Sequence, residues 1–202
     1  MTDRRSKHLQ RIAALLAGLA ALLVVIAFAV VPRFIATAPQ GPTVGGSFSL
    51  IDQNGRSVTD ADFRGKVMLI YFGYTFCPDV CPTTLGNVAQ AYDLLTPAEQ
   101  AQVVPIFITI DPERDTVDQI AQYVDAFSPA MVGLTGSPEQ VAPVLKEFRV
   151  YAHRVETTDG NYSVDHSSIL YVMDKKGQYA THFSGEVTPK EIAAGLKKQL
   201  AG

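Results

Sequence analysis

Basic charge is scarce along most of this 202-residue chain. Five of its 17 Lys and Arg stand before Pro39, against one of its 20 Asp and Glu, so the remainder carries a net charge of −7. That remainder lacks the basic footprint nucleic acid requires, and it has no electrostatic reason to adhere to anionic lipid. Internal repeats and low-complexity tracts are also absent, which leaves one domain plus an appendage as the organisation for this length. Cysteine is scarcer still. Cys77 and Cys81 are the only two.

Charge is missing altogether from Ile12 to Val31, a run of twenty residues. That is long enough to cross a bilayer as a helix. Arg4, Arg5, Lys7 and Arg11 precede it against a lone Asp3, while a single Arg33 follows. The basic bias places the N-terminus in the cytoplasm and the rest on the far side. The expected organisation is a cytoplasmic basic segment over residues 1–11, a transmembrane anchor over 12–31, a tether over 32–46 and a domain over 47–202. In a bacterium this is a single-pass inner-membrane protein whose domain faces the periplasm or exterior. A cleaved signal peptide is the alternative, with Ala36-Thr37-Ala38 as a small-residue cleavage site. The apolar run exceeds the usual signal core of about 7–15 residues, which favours a retained anchor. Both routes export the domain to an oxidising compartment.

Beyond the tether, Phe48–Asp52 and Ser57-Val58 flank Asn54-Gly55, the pattern of a hairpin. Val67–Phe72 and Val103–Ile110 are continuous apolar runs suited to buried strands. Leu85–Leu95 has helical spacing, Thr116-x-x-Gln119 resembles a capping box, and Ser137-Pro138 opens a helix with Val141, Val144, Leu145 and Phe148 inward. Met131–Leu134, Val150–Val155, Ile169–Met173 and Tyr179–Phe183 read as strands. Thr188-Pro189-x-Glu191 caps a last helix running to about Leu200. The alternation predicts an α/β sheet covered by helices. In such folds the working residues gather where strands end and helices begin. The cysteine pair occupies such a junction.

Two thiolates this close can form a disulfide or hold a soft metal ion. Pro82 fits the first helical position, which puts Cys81 at the cap and Cys77 in the preceding loop. The helix N-terminus then favours thiolate over thiol. In a regular helix an i,i+4 pair sits about 5–6 Å apart at Cβ, wide for a disulfide, although a loop allows closer approach. A purely structural bridge gains most by closing a long loop, and this one closes almost nothing. A third ligand would decide between redox and metal use. His153, His166 and His182 are the candidates, because His8 falls on the other side of the membrane. His166 stands apart, in Val164-Asp165-His166-Ser167-Ser168 just before an apolar strand.

A strand, a cysteine motif at a helix start and a later strand ending in Asp174-x-x-Gly177 before a terminal helix resemble the thioredoxin superfamily. Lined up this way, His166 takes the position of that superfamily's cis-proline, and the resemblance implies an imidazole facing both sulfurs. Four segments carry a closer resemblance, to the Sco/SenC family of copper-binding assembly factors for cytochrome c oxidase. They are Phe63-Arg-Gly-Lys66, Tyr71-Phe-Gly-Tyr-Thr-Phe-Cys77-Pro-Asp-Val-Cys81-Pro82, Ile110-Asp-Pro-Glu-Arg-Asp-Thr116 and Val164-Asp-His166. The resemblance implies a thioredoxin-like α/β fold, with a mixed central sheet flanked by helices and an N-terminal transmembrane helix. It also implies copper held by Cys77, Cys81 and His166 and delivered to the binuclear copper site of an oxidase subunit. The partners it implies are that subunit and an upstream copper donor chaperone.

The donor set agrees with copper, since two thiolates and an imidazole form a soft, low-coordinate site suited to Cu(I). Structural zinc would want a fourth protein ligand, and the sequence offers no convincing one. The alternative reading is a thiol–disulfide oxidoreductase in which Cys77 and Cys81 are a redox pair reducing the client's copper-ligand cysteines. Two further residues keep two readings each. Asp79 either tunes the thiols and nearby backbone or is a solvated turn residue, and Asp111 either orients the site or caps its loop.

Overall fold

The continuous apolar runs become the central strands of a mixed sheet, in a computed structural model that describes residues 44–158, 160–184 and 186–201 together with Leu16 and Gly18. The chain divides into two units, Met1–Pro42 and Thr43–Gly202. The expected anchor over 12–31 lies outside the described residues, apart from Leu16 and Gly18, which are helical. Among the described residues no helix is long and apolar enough to cross a membrane.

The second unit runs β1 (Ser49–Asp52), β2 (Ser57–Thr59), a 3-10 turn (Asp60–Phe63), β3 (Val67–Gly73), α1 (Val80–Asp93), α2 (Pro97–Gln100), β4 (Val103–Thr109), α3 (Val117–Asp125), β5 (Val132–Thr135), α4 (Pro138–Glu147), β6 (Ala152–Glu156), β7 (Tyr162–His166), β8 (Ile169–Met173), β9 (Tyr179–Ser184) and α5 (Pro189–Ala201). Seven strands form one sheet in the order β2-β1-β5-β4-β3-β8-β9, and β6-β7 stand apart as a two-stranded hairpin. β3, β4 and β5 are parallel neighbours, while β8 joins β3 antiparallel. The central strands β3 and β4 are buried at every position. That burial on both faces is why they read as unbroken apolar runs rather than alternating ones.

Turn and cap chemistry fixes the element ends much as expected. Gly55 takes φ +77° in the β1–β2 turn, a conformation that glycine adopts without steric cost. The Asp52 carboxylate closes that turn by accepting the N–H groups of Asn54 and Arg56, both at 2.9 Å. Ser137 and Gln140 form a reciprocal capping box at α4. Thr116 accepts the N–H of Gln119 at the start of α3.

Tyr71 of β3 pairs in register with Phe107 of β4 and Leu170 of β8, so these side chains share a face. Phe107 packs at a tilt on Tyr123 of α3 on that face, and Gly73 lies against Cys81 of α1 there. Phe72 points the other way and packs on Phe148 at the end of α4 and on Tyr171 of β8. The parallel strands β3 and β4 therefore deliver their C-terminal ends, Gly73 and Thr109, to one edge of the core. The cysteine loop begins at the first of these ends, and the segment Ile110–Thr116 at the second.

Candidate metal centre

Helix α1 starts two residues earlier than Pro82 implies. Val80 is its first residue and Asp79 its N-cap, so Cys81 is the second helical position and Pro82 the third. Proline is tolerated there because N–H groups of a first turn have no intrahelical partner. The consequence is useful. Cys81 sits inside the first turn, completely buried, and Cys77 hangs in the loop above it at 8% exposure.

Both cysteines are free thiols. The Cys81 sulfur lies 3.4 Å from His166 Nε2. One donor atom from each of Cys77, Cys81 and His166 falls within 4.8 Å of the others, and no other such cluster occurs among the described residues. His166 Nδ1 lies 3.2 Å from the Ser167 carbonyl oxygen. A carbonyl can only accept, so Nδ1 carries the proton and Nε2 turns its lone pair toward the sulfurs. That is the tautomer a metal-ligating imidazole requires.

Aromatic rings hold the imidazole in place. Tyr71 and Tyr74 both meet it edge-on, at centroid distances of 6.2 and 6.0 Å. The buried Tyr71 hydroxyl lies 3.8 Å from Cys81 Sγ, to which it donates, and 3.4 Å from Ser168 Oγ. Burial pushes the Tyr71 phenol well up, so it remains a neutral donor.

The two thiols share one proton unequally. Cys77 is held far below the usual thiol range, chiefly by the hydrogen bond from Cys81, with help from the backbone N–H groups of Asp79 and Cys81. Cys81 is pushed up by that same bond and by its burial. The pair is thus biased toward a thiolate at Cys77 and a thiol at Cys81. Such an arrangement can ligate a soft metal on losing one further proton, or it can attack a disulfide.

Gly73 explains how the sulfur fits. A Cβ there would stand 2.7 Å from Cys81 Sγ and 3.0 Å from the Phe107 ring. Gly73→Ala should therefore cost about 1–3 kcal/mol of stability by overpacking. It should also shift the spectrum of the metal-loaded chain, because the nearest atom that must give is one of the three candidate donors. Denaturant unfolding together with the absorption spectrum of the metal-loaded chain checks both effects.

The remaining expected residues separate cleanly. His153 is exposed on β6 and stacks on Tyr151, and His182 is exposed on β9 against the Tyr179 hydroxyl. Neither joins the cluster. The Asp79 side chain is exposed and makes no cap hydrogen bond. Its backbone N–H, rather than its carboxylate, is what serves Cys77. Asp111 is buried and accepts from Arg114 Nε at 2.5 Å and from the Tyr162 hydroxyl at 2.8 Å. Its backbone carbonyl also accepts from Arg114 and Asp115, so it caps its loop as well.

Tyr71, Arg114 and Asp115 lie within the family-like segments with no role assigned to them by the sequence, and Ser168 and Tyr162 carry no sequence signal of a role at the site. Asp115 is fully buried and accepts the N–H and hydroxyl of Thr75, at 3.0 and 2.6 Å, and the hydroxyl of Thr109 at 2.6 Å. It thereby suspends the cysteine loop from the end of β4.

The model of one protein family, SCO1/SenC, matches residues 36–201. The chain belongs to the SCO1/SenC family. Among its SCO1/SenC relatives, Protein sco1 of Schizosaccharomyces pombe is 44% identical over 158 residues, which are 77% of this chain and 60% of that protein. The chain thus matches about three-fifths of that relative's length. The structure of Bradyrhizobium japonicum ScoI with copper bound is 44% identical and superimposes with a TM-score of 0.72, over 77% of this chain and 99% of that one. A further structure, BsSco, is described as having a disulfide switch and as a member of a family of cytochrome c oxidase assembly proteins. It is 25% identical, with a TM-score of 0.61 over 80% of this chain and 95% of that one. The thioredoxin-like α/β architecture expected from the sequence is that of these SCO1/SenC structures.

Proposed function

We propose that this chain is a membrane-anchored copper metallochaperone. Cys77, Cys81 and His166 take up one copper ion as cargo and pass it to the binuclear copper site of a cytochrome c oxidase subunit during assembly. The observation that carries this reading is the convergence of three soft donors within 4.8 Å, with Nε2 of His166 facing the sulfurs. Two sulfurs and one imidazole satisfy Cu(I) without a fourth ligand, whereas structural zinc asks for four. Low coordination also suits a carrier, since an incoming client ligand can add before an outgoing one leaves. Copper in the relative of known structure with 44% identity supports the assignment.

The anchor over residues 12–31 serves the same end. It holds the domain on the outer face of the inner membrane, with the N-terminus in the cytoplasm, and confines donor, carrier and client to one surface. Confinement raises the effective concentration of the client without any new contact. An upstream copper donor of the same compartment supplies the cargo.

A second reading is favoured by the two free cysteines standing side by side, whose mutual hydrogen bond lowers Cys77 and raises Cys81. A thiolate at Cys77 beside a thiol at Cys81 is the resting state of a dithiol reductant. In this reading the pair becomes oxidised to a disulfide as the client's copper-ligand cysteines are reduced, two electrons and the pair's single proton passing to the client, whose second thiolate takes its proton from water. The two readings part at His166. With His166→Ala, copper transfer from the loaded chain to a client copper-site domain should fall at least about tenfold. Dithiol–disulfide exchange with the same client should persist within about a factor of three. Loss of exchange with transfer intact would reverse the assignment.

A further inference from the structure

An isolated two-stranded hairpin is marginal in water, yet β6–β7 carries a presumed ligand, His166, on its last residue. Its strands pair only with each other, and β6 is exposed at every position. Side-chain contacts must hold this hairpin in place. Val164 anchors it in the core, and several of the polar contacts converge on Arg114, which belongs to neither ligand-bearing segment.

The Arg114 guanidinium lies over the Tyr162 ring at 3.5 Å, four residues before His166. Its Nη1 donates to the Tyr162 carbonyl at 2.9 Å and to Asn161 Oδ1 at 3.3 Å. Asp111 closes the unit, holding Arg114 Nε with one carboxylate oxygen and the Tyr162 hydroxyl with the other. Toward the cysteines, the same guanidinium lies 4.9 Å from the ring of Phe76, the neighbour of Cys77, and 5.6 Å from that of Tyr74. The Tyr74 hydroxyl accepts the N–H of Val164, two residues before His166. Phe76 is 51% exposed, so the rim of the cysteine loop has little else to rest on.

We infer that Arg114 is a positioning residue of the metal centre: clamped by Asp111 and stacked between the cysteine loop and Tyr162, it sets where His166 Nε2 stands relative to the two sulfurs. The inference rests on the copper reading above. A planar, five-donor group is needed, because one cation must stack on rings and donate along its edge at once. Lysine, a point charge, would do neither well.

The test uses the full chain in detergent, with Arg114→Ala, Arg114→Lys, Tyr162→Phe and His166→Ala, and two readouts. In the metal-free protein, hydrogen exchange at the β7 amides should speed up at least about tenfold in both Arg114 variants, while α1 and β4 keep their protection. Tyr162→Phe retains the stack and loses only the bond to Asp111, so its effect should be smaller. In Cu(I) competition against a chelator, Arg114→Ala should lose about 10–100-fold in affinity, approaching the loss in His166→Ala. Combined with His166→Ala, it should add less than about twofold, because it acts through that imidazole.

Wild-type affinity in Arg114→Ala would overturn the inference, as would an undiminished loss in the His166→Ala background, which marks general damage. Should Arg114→Ala fail to fold, Arg114→Lys and Tyr162→Phe carry the same comparison. A wild-type chain that holds no copper would sink the copper reading instead. The exchange measurement would then decide the clamp by itself, with unchanged β7 protection overturning it.

Discussion

Cys77→Ser/Cys81→Ser leaves the chain folded and without stable copper. Serine is close enough in size to cysteine to fill both buried positions. Its hydroxyl is hard and stays protonated at neutral pH, so it replaces neither the charge nor the softness of a thiolate. Structural thiolate sites bind metal with about 10–16 kcal/mol shared among four ligands. Each sulfur is therefore worth about 3 kcal/mol, or two orders of magnitude in affinity. Losing both should take Cu(I) affinity down by about 10⁴ or more. The single variants should fall by about 10²-fold each. Titration against a Cu(I) chelator, with circular dichroism to verify the fold, reads the effect. Copper retained by the double variant would place the site elsewhere.

Asp115→Ala should be the most destabilising single change near the site. The carboxylate is buried, and its removal strands the Thr75 N–H and the hydroxyls of Thr75 and Thr109. A buried donor left without a partner costs about 1–3 kcal/mol. Allowing for relaxation, the total is about 3–5 kcal/mol, which lowers Tm by about 10–15 °C in a domain of this size. Thr75 stands two residues before Cys77, so the cysteine loop should loosen along with the fold.

A pH signature separates this carboxylate from a surface one. Burial raises the Asp115 pKa, only partly countered by the threonine hydrogen bonds. The folded state therefore holds this proton more tightly than the unfolded chain does. Its contribution is greatest below the unfolded carboxylate range and declines as pH rises through the folded pKa. Asp115→Asn should flatten that part of the stability–pH profile and cost less than the alanine change. An unaltered profile in the asparagine variant would contradict the assignment.

Local chemistry made much of this fold legible. Asn54-Gly55 announced the first hairpin, the apolar runs announced β3 and β4, and Ser137-Pro138 and Thr188-Pro189 marked the starts of α4 and α5. Strand β7 escaped notice because Tyr162-Ser-Val-Asp-His166 buries only Val164 and pairs with an exposed strand, so it carries no apolar signal. The start of α1 shifted because Pro82 was read at the position it most favours rather than one it tolerates.

The site divides along the same line. Cys77, Cys81 and His166 stood out by residue type and by resemblance, and the structure brings the three together. Arg114 and Asp115 fall in a family-like segment and Tyr162 in none, but the role of each escapes the sequence because it is a pairing across the fold. Arg114 and Tyr162 are 48 positions apart, and Asp115 and Thr75 are 40 apart. No periodicity or spacing records such a contact. Only the meeting of the β3 and β4 ends with the β6–β7 hairpin creates it.

The central claim is that one copper ion is held by two sulfurs and one imidazole nitrogen. X-ray absorption at the copper edge, on the reduced full chain loaded to saturation and compared with His166→Ala, tests it most directly. The account predicts one copper per chain with two sulfur neighbours and one nitrogen, the nitrogen disappearing in the variant while both sulfurs remain. A sulfur-only shell in the wild type, or a nitrogen that survives His166→Ala, would contradict it.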